Sequence, residues 1–170
     1  GNGTLSRMYY GPSASPVATL DYGYDALERV TKETHLDNRT GSQREYSYSY
    51  SSDGALSGVT VNGKLAYTYD YDTLGRLIHS SAIDDTGKIV LYTDHTYDTS
   101  DRILSQRWQI GSDAFTESYS YNGKDGTLSS MTTGGGTIHF SYDHLKRLET
   151  RTAPVLKTKY SYRDLSTTRT

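Results

Sequence analysis

The stretch YDTLGRL at residues 71–77 decides how the rest of the chain is read. It returns in degenerate form as YDALERV at 24–30, YDTSDRI at 97–103 and YDHLKRL at 142–148, so each copy is Tyr-Asp, three variable residues, Arg and an apolar residue. A second class lacks the Asp/Arg pair and carries glycine: GALSGVTVNG at 54–63 and GTLSSMTTGG at 126–135, with GTLSRM at 3–8 in the same register. The anchor tyrosines Tyr24, Tyr50, Tyr71, Tyr97, Tyr121, Tyr142 and Tyr162 are separated by 26, 21, 26, 24, 21 and 20 residues. That spacing suits one β-hairpin per repeat and is too short for a parallel crossover with its helix. The whole chain, 1–170, therefore reads as one repeat array, an antiparallel meander of hairpins.

Before each anchor the aromatic residues recur with period two: Tyr22 and Tyr24; Tyr46, Tyr48 and Tyr50; Tyr67, Tyr69 and Tyr71; Tyr119 and Tyr121; Phe140 and Tyr142; Tyr160 and Tyr162. Period two places them on one face of a strand. The alternate positions Gly23, Ser47, Ser49, Thr68, Asp70, Ser120, Ser141 and Ser161 make the other face small and polar. A second set of strands is expected to begin at Val30, Leu56, Leu77, Ile103, Leu128 and Leu148 and to return through Asn62-Gly63, Asp85-Thr86-Gly87 and Gly134-Gly135-Gly136. Asn-Gly is a strong type I′ hairpin signal. The expected fold class is all-β, with about 12 to 14 strands of roughly 5 to 8 residues and no helix, since no window has helical apolar spacing bracketed by caps. Pro12, Pro16 and Pro154 fall in or near loops, where a missing N–H costs no ladder bond.

Composition agrees with a thin sheet rather than a thick core. Hydrophobic residues are 34% of the 170, and 17 Tyr supply much of the apolar mass; tyrosine buries a ring, keeps a polar tip wet and favours strands. A net charge of −2 without a basic run makes nucleic acid an improbable partner. No apolar stretch is long enough for a membrane-spanning helix, so membrane insertion is not expected. The chain has no Cys, which excludes disulfides and thiolate metal sites.

The recurrent charged residues are Asp25 with Arg29, Asp72 with Arg76, Asp98 with Arg102 and Asp143 with Arg147. An Asp at a turn can accept backbone N–H bonds ahead of it, and an Arg four residues on can fold back over the same turn. A catalytic pair is needed once, whereas this one occurs four times, so these residues are expected to hold turns. His35, His79, His95, His139 and His144 lack the close spacing of metal ligands. The neighbouring Asp84 and Asp85 could in principle form a glycosidase pair, but adjacent positions seldom converge on one substrate atom. No nucleophile elbow, phosphate loop or dinucleotide fingerprint is present. The chain is thus expected not to be an enzyme: no catalytic, cofactor-binding or metal residue is assigned, and no cofactor. Asn2-Gly3-Thr4 and Asn38-Arg39-Thr40 match the N-glycosylation triplet, a pattern that also arises by chance.

With the full YDxxGRL at Tyr71–Leu77 and its copies along nearly the whole chain, the sequence resembles the Rhs/YD-repeat family: bacterial Rhs and wall-associated proteins, the cocoon subunits of insecticidal toxin complexes, and the teneurins. The resemblance implies a segment of a spiral antiparallel sheet that winds into a hollow β-shell, often around a C-terminal toxin-like domain. It also implies a secreted or cell-surface location, and partners in the remainder of a parent chain and its C-terminal domain. The chain opens within a glycine-class repeat and ends after Tyr162 without the expected Arg-Leu, so both ends are expected to be truncated. No segment matches the family's Asp-Pro-rich closing region, so autoproteolysis is not carried over to any residue. Edge strands near Thr4–Tyr10 and Lys157–Arg163 are expected to seek partners, giving edge-strand self-association. The leading functional reading is a structural shell segment that encloses or displays another domain. The alternative is a cell-surface adhesion module whose tyrosine face binds glycan, that is, carbohydrate, or protein.

Overall fold

The computed structural model describes residues 3–162. Arg163, at the end of the second expected edge, and Asn2 of the first glycosylation triplet lie outside the described residues. The described residues hold fourteen strands and no helix. They are β1 Arg7–Tyr10, β2 Ala18–Tyr24, β3 Val30–Asp37, β4 Gln43–Tyr50, β5 Leu56–Val61, β6 Lys64–Tyr71, β7 Leu77–Ile83, β8 Ile89–Tyr97, β9 Ile103–Ile110, β10 Asp113–Tyr121, β11 Leu128–Thr133, β12 Gly136–Tyr142, β13 Leu148–Ala153 and β14 Leu156–Lys159. All six expected second-strand starts coincide with strand starts. No membrane-length apolar helix is found among the described residues.

The chain forms two compact units, one of residues up to Asp94 with Gln109–Ser112, the other of His95–Trp108 and the residues from Asp113 on. In the first, β1 to β8 follow chain order and every neighbouring pair is antiparallel. In the second, β9 to β14 also follow chain order, with antiparallel pairing from β10 to β14. This is the meander that short repeat spacing requires.

Register explains where burial is found. Tyr48 stands opposite Val59, and Val59 opposite Tyr67. The valine between these rings is the one buried hydrophobic side chain among the described residues, at 6% exposure. Thr19, Ser81 and Thr93 are the buried polar residues; their small side chains lie in the shadow of larger neighbours. Pairing of hydroxyls relieves the cost, as where Ser80 Oγ and Thr93 Oγ1 meet at 2.6 Å. Burial is therefore not confined to apolar positions.

Nor is the aromatic face exclusive. Tyr92 pairs with Ser81, on the side opposite Tyr67 and Tyr69, and stacks on His79 with centroids 5.9 Å apart. The segment before Tyr97 reads Tyr92-Thr-Asp-His-Thr96, with no aromatic alternation to hold the usual parity.

At five hairpins the ladder shifts register immediately before the anchor, at Tyr24, Tyr50, Tyr71, Tyr121 and Tyr142. These bulges lie at the ends of the strands where the Asp/Arg and glycine turns sit.

Candidate functional site

The four Asp/Arg pairs form one structure four times. In the first, the Asp25 N–H donates to Arg29 O at 3.0 Å and the Glu28 N–H donates to Asp25 O at 3.1 Å, a three-residue turn closed by a bulge. Such a turn needs a left-handed residue at its fourth position, and the sequence supplies Glu28 (φ 60°), Gly75 (φ 77°), Asp101 (φ 61°) and Lys146 (φ 60°) there. The Asp carboxylate fills the hollow of the turn. Asp25 Oδ1 accepts from the N–H groups of Leu27 at 2.9 Å and Arg29 at 3.0 Å, and Oδ2 accepts from Arg29 Nε at 2.7 Å. Asp72, Asp98 and Asp143 repeat all three bonds within about 0.1 Å.

These bonds hold each carboxyl below its ordinary range. For Asp25 and Asp143 the main cause is the backbone N–H of the arginine, and for Asp72 and Asp98 the arginine side chain. The turn-holding role read from the sequence is thus present in all four copies.

A fifth copy was not legible. Asp84 Oδ1 accepts from the N–H groups of Thr86 and Lys88, and the Asp84 N–H donates to Lys88 O at 2.9 Å. Here Thr86 Oγ1 replaces the arginine as side-chain donor, at 2.6 Å. The Asp84 carboxylate is occupied by its turn, and the backbone carbonyl of Asp85 accepts from Lys64 Nζ at 2.8 Å.

The arginine does more than close its own turn. The Arg29 guanidinium lies over the ring of Tyr50, 4.3 Å from its centroid, and the Tyr50 hydroxyl donates to Val30 O at 2.7 Å. Arg102 lies over Tyr121 at 4.4 Å with Tyr121 donating to Ile103 O at 2.8 Å, and Arg147 over Tyr162 at 4.5 Å with Tyr162 donating to Leu148 O at 2.9 Å. Tyr50, Tyr121 and Tyr162 therefore each cap the turn of the repeat before them, through one cation–π contact and one hydrogen bond. Tyr24 makes the same hydroxyl bond to Leu5 O at 2.7 Å, which confirms the register of the glycine-class copy at 3–8.

The remaining polar residues serve the sheet. Arg7 and Asp21, directly opposite on β1 and β2, form a two-bond ion pair, and Lys32 meets Glu45 at 2.7 Å. Burial, then Glu33, pushes the Tyr48 hydroxyl up to about 12; burial, then a bond to Glu117, does the same at Tyr119. His35 Nε2 lies 3.2 Å from Glu33, His79 pairs with Asp94 opposite it, and His95 Nδ1 is buried without a partner among the described residues. Among the described residues no group of three His, Cys, Asp or Glu is placed to hold a metal. Asn38 Nδ2, the atom a glycan would need, donates to Pro16 O at 3.0 Å and Thr19 Oγ1 at 2.8 Å.

Comparison with known proteins agrees with this geometry. Residues 2–151 match the family model described as Teneurin YD-shell. Teneurin-3 of Danio rerio is 28% identical over 97% of this chain, and Teneurin-1 of Gallus gallus 30% identical over 97%; the chain spans 6% of each. Among solved structures, the crystal structure of TcdB2-TccC3 superposes on 79% of this chain and 7% of its own with a TM-score of 0.61 at 17% identity, a likeness of fold. A match over most of the chain makes this chain a member of the teneurin YD-shell family, a structural YD-repeat segment.

Proposed function

We propose that this chain is non-catalytic wall material of a larger secreted or cell-surface protein, and that its task is to enclose, shield or display a domain C-terminal to the repeats, such as a toxin-like one. The observation that carries this reading is the consumption of the chemically capable groups by the fold. Each Asp of the four Asp/Arg turns spends both carboxylate oxygens on its turn, and Arg29, Arg102 and Arg147 each spend the guanidinium on the turn and on the next anchor tyrosine. Groups so occupied are suited to holding a wall together and poorly suited to turning over a substrate.

The same contacts weigh against an adhesive tyrosine face, because one face of the Tyr50, Tyr121 and Tyr162 rings is covered by arginine and closed to a sugar. The test is limited proteolysis of the full-length parent protein. The domain beyond the repeats should resist cleavage in the wild type and become cleavable when Arg29→Ala and Arg102→Ala loosen the wall. Equal cleavage of both proteins would overturn enclosure, and specific retention of the isolated chain on a glycan array would favour adhesion instead.

A further inference from the structure

Two of the glycine turns, 51–55 and 122–127, each follow an Asp/Arg turn and lie against its arginine. The Arg29 guanidinium is held by Asp25 from one side and Tyr50 from another, and a third neighbour is Gly54, whose absent Cβ would lie 3.6 Å from Nη1. Arg102 has the same surroundings: Asp98, Tyr121 and Gly126, where a Cβ would lie 3.1 Å from Nη1. The two glycine turns differ in length. Ser51 N–H donates to Ala55 O across one, and Asn122 N–H donates to Thr127 O across the other, which is one residue longer. Both nevertheless place a glycine of positive φ, 88° at Gly54 and 74° at Gly126, as the penultimate residue of the turn and against the preceding arginine. A one-residue insertion that leaves this contact intact marks the glycine, rather than the turn, as the constrained element.

We propose that Gly126 is a specificity position that reads the preceding repeat: beside Arg102 the longer turn at 122–127 accepts only a penultimate residue that leaves room for the guanidinium, whereas the contact at Gly54 is an ordinary one and the turn after Arg76 carries Asp101 in that place. At Gly126 a methyl group would require Nη1 to retreat by a few tenths of an ångström. The terminal atoms of a free arginine would do so readily, but this one is tied to Asp98 Oδ2 through Nε at 2.7 Å and Nη2 at 2.6 Å and lies against Tyr121. Retreat therefore loosens the cap between the two repeats. The partner recognised is the neighbouring repeat of the same chain, and the inference does not depend on what the shell encloses.

The test is a set of urea unfolding curves on the whole chain that separates backbone strain from the contact. Gly75 has a similar φ of 77° and open space where its Cβ would stand, so Gly75→Ala reads the strain alone. Gly54→Ala, at ordinary contact distance, should lower the folded-to-unfolded ratio by the same factor as Gly75→Ala. Gly126→Ala should lower it about fivefold or more beyond that, the size of a direct coupling between touching groups. In an Arg102→Gln background this excess should vanish. If Gly126→Ala does not fold, recovery of the fold in the double variant Arg102→Gln, Gly126→Ala supports the proposal, and failure to recover it overturns it. An excess of zero, or one that persists without the guanidinium, also overturns it.

Discussion

Replacing Glu28 by glycine should stabilise the protein although it removes a side chain and adds no contact. Glu28 occupies the left-handed position of the first Asp/Arg turn at φ 60°, where the YDTLGRL copy has Gly75 at φ 77°. A side chain in that conformation brings Cβ against the following carbonyl, at a cost of about 1 to 2 kcal/mol. Glycine removes this strain but gives the unfolded chain more freedom, which offsets about 0.5 to 1 kcal/mol. Among the described residues the Glu28 side chain makes no hydrogen bond or ion pair, so no interaction is lost. The net expectation is about 0.5 to 1 kcal/mol of added stability, or roughly 1 to 4 °C in melting temperature for a chain of this size. Urea unfolding followed by tyrosine fluorescence reads the difference, and Gly75→Ala supplies the reverse experiment with a loss of similar size. A lower urea midpoint for Glu28→Gly, or an unchanged one for Gly75→Ala, would refute the assignment of strain to this position.

Tyr121→Phe keeps the ring under Arg102 but leaves Ile103 O without its donor, and should cost about 0.5 to 1.5 kcal/mol in the same assay; Tyr121→Leu, which also removes the ring face, should cost more. Asp72→Asn retains an acceptor for the N–H groups of Leu74 and Arg76, so it should destabilise less than Asp72→Ala, as thermal melts can rank. The turn carboxyls have folded values below the ordinary 3.8, so their stabilisation is complete above that value and is lost as pH falls through the folded one. Asp37, held by the Arg39 side chain first and pushed down to about 2, marks the lower end. Unfolding free energy should therefore decline from about pH 4 downward, and Asp72→Asn should make that decline shallower; a flat acid profile for the wild type would contradict it.

Much of the fold could be read from the sequence because its determinants are local. Period-two tyrosines locate a strand, and Asp followed four residues later by Arg locates a turn; both span fewer residues than one hairpin. What escaped reading depends on residues far apart in the chain or on substitutions that keep the geometry but change the letters. The cap joins Arg29 to Tyr50, 21 residues on, and Arg102 to Tyr121, 19 residues on, and no short window contains both. The Asp84 turn was hidden because Lys88 and Thr86 divide the work of one arginine. The glycine class was visible in the sequence, but the approach of Gly126 to a guanidinium was not. Tyr92 shows the converse: where the aromatic alternation is missing, a ring stands on the side opposite Tyr67 and Tyr69.

The variation in anchor spacing, 20 to 26 residues, is shared between strand length and the turns opposite the Asp/Arg edge. The β3–β4 connection uses 38–42, whereas β5–β6 needs only Asn62-Gly63. Both margins of the sheet thus accept turns of more than one length. Because each hairpin is covered by its neighbours and not by a common interior, duplicating or losing one disturbs only the two seams where it was inserted or removed. Such a lineage can change the number of its repeats by unequal recombination without redesigning a core.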